Sequence, residues 1–186
     1  MKINEYNREI IILGFGEVKV DNVNDFVNSL KQKLPGVQFQ VFDADYVAGR
    51  RHLFFAALNA LKVFEQGENI SDNVEMEALL YASGQRQIKK AIELLGLRPT
   101  TTRLAMLVFL PKGAEAKDVE EKTSNAIRAK RNDDVLDVDE DKIGRLMKTF
   151  QITPLELETI ASSREDMDEA VTKAVVERIA LLATQG

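Results

Sequence analysis

The residues whose types and spacing suit chemistry lie in one short stretch, Gly84-Gln85-Arg86-Gln87, followed by Lys89 and Lys90. The chemistry they suit is capture. Three positive side chains and two carboxamides can hold phosphate or an extended polar ligand. A helix starting here would add unpaired backbone donors and the positive end of its dipole. Gly84 permits backbone angles that other residues avoid, so it can end one helix and let the next leave at a sharp angle. Two readings stand open on physical grounds alone: a ligand-receiving corner, and a helical hairpin with a solvated corner. Arg86 is the most versatile member, because its planar guanidinium both stacks and forks. Its plainer reading is a surface arginine at a helix start.

Elsewhere the chain offers little for catalysis. There is no cysteine and only one histidine, His52. No serine, aspartate or glutamate constellation points to His52 as a base. Asp43-Ala44-Asp45 places two carboxylates on one face of an extended chain, but nothing nearby completes a shell for a hard cation. Turn capping is the better reading of that pair. No P-loop, kinase motif, GxSxG or HExxH occurs. These absences point to a protein that is not an enzyme and needs no metal or cofactor.

The elements that would position the corner are helices. Met76, Leu79, Leu80 and Ala82 give one helical pattern, with Asp72 and Glu75 at capping-box spacing before it. Ile88, Ala91, Ile92 and Leu95 give a second pattern with one apolar face, and Gly96 stops it. Arg50–Phe64 is apolar almost all round, with two stripes that must both be covered, by core or by a partner. Asn24–Leu34 reads as an amphipathic helix. Ala114–Lys130 reads as another, with Val119, Thr123, Ala126 and Ile127 inward. Ile143, Leu146, Met147 and Phe150 make a helix face, and Thr153-Pro154-Leu155-Glu156 is a helix start. A terminal helix is expected over Asp166–Ala183.

Three segments read as strands: Glu9–Phe15, with Gly14-Phe15-Gly16 as a turn; Val37–Phe42, which alternates strictly; and Arg103–Leu110, whose continuous apolar run suggests a central position. Arg128–Asp141 is the most polar stretch and reads as an exposed acidic connector. The sum is a single domain over residues 1–186 of α+β class. It has a small, mostly antiparallel sheet covered by helices and a helix-rich C-terminal third.

Composition sets the outer limits. The chain has 186 residues, 45% of them hydrophobic and 30% charged, and a net charge of −5. That is ordinary for a soluble globular domain and argues against indiscriminate nucleic-acid binding. The charge is uneven. Arg86, Lys89, Lys90, Arg98 and Arg103 face one acid between residues 86 and 103, while six acids and no base lie between Asp133 and Asp141. A local basic face fits one defined nucleic-acid footprint, and equally a pair of ordinary solvated faces. The polar N-terminus and the lack of a long apolar run predict neither a secretory signal nor a membrane span. Together with the missing cysteines, this fits the cytoplasm.

Several segments in order resemble the kinase-binding subunit family of the KEOPS complex (TPRKB-like, archaeal-type). They are the IILGF strand, LFFAALNAL, ISDNVEMEALLYASGQRQIKKAIELLG, LAMLVF, FQITPLELE and VVERIALLA. LLYASGQRQI is the specific element. The acidic stretch 128–141 departs from the family pattern. The resemblance implies a non-catalytic adaptor that binds the small KEOPS kinase-like ATPase through an apolar helical surface. It also implies capture of the single-stranded 3′ end of tRNA, in support of threonylcarbamoyladenosine modification, with no small-molecule substrate. On that footing the RNA-binding candidates are Gly84, Gln85, Arg86, Gln87, Lys89 and Lys90, with Lys62 and Asn59. The kinase-binding candidates are Leu53, Phe64, Val175, Ile179 and Leu182. The alternative is a small-ligand-binding domain or enzyme with a pocket at the Gly84 corner. It predicts a closed concavity with a desolvated titratable group, whereas an adaptor predicts exposed apolar surface.

Overall fold

The computed structural model describes residues 1–3, 6, 8–161 and 166–184. Five strands are β1 (Lys2–Ile3), β2 (Arg8–Gly16), β3 (Gln38–Asp43), β4 (Leu104–Phe109) and β5 (Lys130–Arg131). Eight helices among the described residues are α1 (Val23–Lys33), α2 (Gly49–Gln66), α3 (Val74–Ser83), α4 (Ile88–Leu95), α5 (Ala116–Ile127), α6 (Glu140–Phe150), α7 (Pro154–Ile160) and α8 (Met167–Ala180). The sheet runs β1-β2-β4-β3, with β5 also paired to β2, and every pairing is antiparallel. The α+β architecture expected from the sequence is the one observed. No described helix is long and apolar enough to cross a membrane.

The apolar run of β4 has a direct cause. All six of its residues are buried, because helices cover both faces of the sheet. Ala105, Leu107 and Phe109 enter the larger core with α2, α3, α4, α6, α7 and α8. Leu104, Met106 and Val108 enter a smaller core under α1 and α5. β3 alternates between the two, with Phe42 in the larger core and Phe39 and Val41 in the smaller. In α5 the four residues expected inward, Val119, Thr123, Ala126 and Ile127, are the buried ones. α3 and α8 pack on α2 and bury Leu53, Ala56, Ala57, Ala60 and Leu61, while Phe54, Leu58 and Phe64 of its stripes stay half-buried.

Four local expectations are corrected. Gly14-Phe15-Gly16 is strand, not turn; β2 continues through Gly16, and Glu17, at φ 57°, turns the chain. The stretch 128–141 is not a free connector. β5 pairs with Phe15 and Gly16, Asn132 N–H donates to the Gly14 carbonyl at 2.9 Å, and Val135 and Leu136 are buried. Its acids serve that strap: Asp133 accepts from Gly14 N–H and from Arg131, and pairs with Arg50. Asp72 makes no capping box. Asn73 is the N-cap of α3 without a side-chain bond, and Glu77 reaches back instead to accept from Ile70 and Ser71 N–H. At the C-terminus the expected single helix divides into α8 and a 3-10 turn over Leu181–Thr184.

Gly14 is required by that strap. A Cβ there would lie 2.5 Å from the Asn132 carbonyl oxygen and 2.9 Å from Val135 Cγ2. Gly14→Ala is expected to destabilise the protein by about 1–3 kcal/mol through overpacking. Urea denaturation would read this as a lower midpoint at unchanged slope.

Candidate functional site

Gly84 ends α3 in the left-handed conformation, φ 63° and ψ 28°. Its N–H is received by the Leu80 and Tyr81 carbonyls, and Gln85 N–H returns to Leu80 at 3.0 Å. A Cβ at Gly84 would meet nothing within 4 Å, so the backbone angle alone calls for glycine. Gln87 is the extended N-cap of α4, and its side chain makes no capping bond. The first turn of α4 therefore carries backbone donors with no capping side chain, beside a set of exposed side chains: Arg86, Gln87, Lys89 and Lys90. Gln85 is half-buried.

The electrostatics of the corner extend inward along α3. Burial pushes the Glu77 carboxyl up, against the amides of Ser71 and Ile70 and the positive charge of Arg86. Burial also pushes the Tyr81 phenol up, helped by Glu77 and opposed by Arg86. Two of the bases between residues 86 and 103 are engaged away from the corner. Arg98 pairs with Asp43, and Arg103 pairs with Asp45 and Asp139. Asp43 also caps the turn that follows β3, accepting from Asp45 N–H, and takes the Thr101 hydroxyl at 2.8 Å. Arg86, Lys89 and Lys90 are the exposed bases at the corner itself.

The structure does not bring Lys62 or Asn59 to this corner. His52, in the first turn of α2, touches the Ala82 carbonyl two residues before Gly84. At 1.5 Å per residue, Lys62 lies about 15 Å farther along α2 and Asn59 about 10 Å. Leu61 and Phe64 accordingly share a cavity with Val74, at the opposite end of α3. His52 itself is a staple. Its Nδ1 accepts from Ala48 N–H, its Nε2 donates to Ala82 O, and its ring meets Phe150 edge-on.

The expected kinase-facing residues are corrected in the same way. Leu53, Val175 and Ile179 are 0% exposed and Leu182 is 5% exposed, all within the larger core. Side chains that hold α2 and α8 together are not offered to a partner. Phe64 is half-buried and reaches the surface. The apolar side chains that do stand in solvent are others. Ile88 and Ile92 protrude from α4, whose fully buried residues are Ala91 and Leu95. Leu155 is 72% exposed at the start of α7, and Leu181 is 50% exposed just past α8. Arg178 ties these two ends together, pairing with Glu156 and donating to the Gln151 carbonyl. Five surface cavities of about 290 to 540 Å³ among the described residues are lined by residues other than 84–90.

A bare helix start with clustered cations and, separately, solvent-facing leucines on a helical layer describe a surface built for contacts. A family model described as kinase binding protein CGI-121 matches residues 18–183. The chain belongs to this family. The regulatory protein Cgi121 of Methanocaldococcus jannaschii is 31% identical over 117 residues, covering 63% of this chain and 72% of the relative. The EKC/KEOPS complex subunit CGI121 of Yarrowia lipolytica is 28% identical over 56% of this chain and 60% of its own length. The Neurospora crassa subunit is 30% identical over 50% and 46%. The CGI-121 match takes in the Gly84 corner, α7 and α8, and begins after β2.

Proposed function

We propose that this chain is a regulatory, non-catalytic subunit of a cytoplasmic KEOPS complex. It joins the kinase-like ATPase subunit to the 3′ end of tRNA and so supports threonylcarbamoyladenosine modification. Family membership and the relatives' names support the complex and the kinase partner. The observation that carries the RNA part is the uncapped N-terminus of α4, ringed by exposed Arg86, Gln87, Lys89 and Lys90. Cations hold the phosphates of an unpaired tail, while carboxamides and a guanidinium plane meet its bases. Leu155 and Leu181 supply exposed apolar surface for the kinase-like partner.

The test is a gel shift at fixed salt with full-length tRNA and with tRNA lacking its 3′ terminal nucleotides. Trimming is expected to abolish the shift. Arg86→Glu is expected to weaken full-length binding roughly tenfold and to flatten its salt dependence. Equal binding of trimmed and intact tRNA, or an unaffected Arg86→Glu variant, would remove the corner from the RNA site.

A further inference from the structure

The two edges of the sheet are treated differently. The outer edge of β2 is covered at one end by β1 and at the other by β5. β3 is the last strand on the opposite side and, among the described residues, pairs only with β4. Ala44 N–H donates to the Arg103 carbonyl, in register with the β3–β4 pairing. Backbone direction alternates along an antiparallel strand, so Gln38, Gln40 and Phe42 face β4 while Phe39 and Val41 turn their amides and carbonyls outward. Val41 N–H confirms the phase. It is met from outside by the side chain of its own neighbour, Gln40, at 3.2 Å.

This edge lies at the floor of a groove of about 320 Å³, lined by three consecutive strand residues, Phe39, Gln40 and Val41. One wall is α1, with Val27 and Lys31; the other is α3 and α4, with Glu75, Met76 and the exposed Ile92. Glu75 Oε2 is buried without a hydrogen-bond partner among the described residues. The groove therefore brings together outward-facing strand backbone, apolar walls and a carboxylate with one oxygen lacking a hydrogen-bond partner.

We propose that this edge docks an extended peptide segment of a partner protein, which adds a strand to β3 and sets a lysine or arginine against Glu75. Strand addition draws affinity from main-chain hydrogen bonds and specificity from alternate side chains. The Phe39 N–H and the Phe39 and Val41 carbonyls face it, and an incoming carbonyl would take the Val41 N–H over from the Gln40 side chain. The incoming side chains would alternate between the α1 wall and the α3–α4 wall. An exposed edge with free groups is otherwise an aggregation hazard, and here it is recessed rather than blocked by charge. The recess also argues against a second copy, whose own β3 sits in the same cleft and whose β2 edge is covered. A phosphodiester chain has no peptide amides to offer and would bring negative charge to Glu75.

The probe is an acetylated, amidated hexapeptide alternating valine and lysine, titrated into the full chain and followed by amide NMR. Shifts at Phe39 and Val41, with slowed exchange of the Val41 amide, are expected. N-methylating alternate peptide amides, replacing the lysines by glutamate, or Glu75→Gln in the protein should each weaken binding about tenfold, as loss of one to two net hydrogen bonds or a charge pair implies. Arg86→Glu should leave peptide binding unchanged, which separates this edge from the RNA corner. Millimolar peptide that leaves Phe39 and Val41 unmoved would overturn the proposal. So would equal binding of the N-methylated peptide, concentration-dependent protection of Val41 in protein alone, or the same shifts with an adenosine hexanucleotide.

Discussion

As pH falls from 6.5 to about 4, the fold is expected to lose on the order of 3 kcal/mol of stability through His52. The ring is fully buried between α2 and α3. Its pKa is pushed down from 6.5 to about 4, first by burial, against the Ala82 carbonyl, with Lys142 adding repulsion. The unfolded chain takes up a proton in this window and the folded chain does not. Protons therefore favour unfolding, and the contribution present above pH 6.5 is gone below pH 4. Glu77 works in the opposite sense, because its raised pKa lets the folded state hold a proton that the unfolded state releases, but it starts from 4.5. Urea midpoints across the acid range would show the slope. Since the chain has one histidine, ring NMR reads the group directly. A ring that titrates near 6.5 would end this account. Lys142 repeats the pattern at higher pH. Burial lowers its pKa from 10.5 to about 8, so its contribution to stability rises with pH between those values.

The elements of the fold were legible wherever a local pattern coincided with a local cause. β4 reads as central because six consecutive apolar residues need cover on both faces, and they have it. Thr153 and Glu156 form the full capping box that four residues of sequence announce. What was illegible depends on partners far along the chain. Gly14 and Gly16 look like turn residues until the strap at 130–136, more than a hundred residues away, packs against them. Lys142 belongs by pattern to the polar side of α6. It is 0% exposed because the Val135 and Val47 carbonyls receive its ammonium at 2.6 and 3.5 Å.

The Gly84 corner was legible for the same reason as the capping box. A left-handed glycine and the side chains after it are set by local backbone chemistry, and Arg86, Gln87, Lys89 and Lys90 stand exposed around it. Membership of Lys62 and Asn59 was not legible, since it turns on which end of α2 meets Ala82. Nor was the difference between buried and exposed leucines. Hydropathy gives Leu53, Val175, Leu155 and Leu181 similar weight, and only the packing of α2 against α8 and of α7 against α8 sorts them.

That sorting has its sharpest consequence at two adjacent residues. Leu182→Glu is expected to lose about 4 kcal/mol or more, because it forces an unpaired carboxylate into the core where Leu182 is 5% exposed. Val175→Glu should behave alike, from a site that is 0% exposed. Leu181→Glu, at 50% exposure, should change stability by no more than about 0.5 kcal/mol, the usual range for an open surface position. Thermal melts of the three variants would read the contrast. If the Leu155–Leu181 surface receives the kinase-like ATPase, the folded Leu181→Glu variant should bind it at least roughly tenfold more weakly, as a charge in an apolar contact requires. Full affinity in that variant would move the docking face elsewhere. Such a shift would point first to the exposed Ile88 and Ile92 of α4, since a partner surface needs side chains that the fold itself has not already buried.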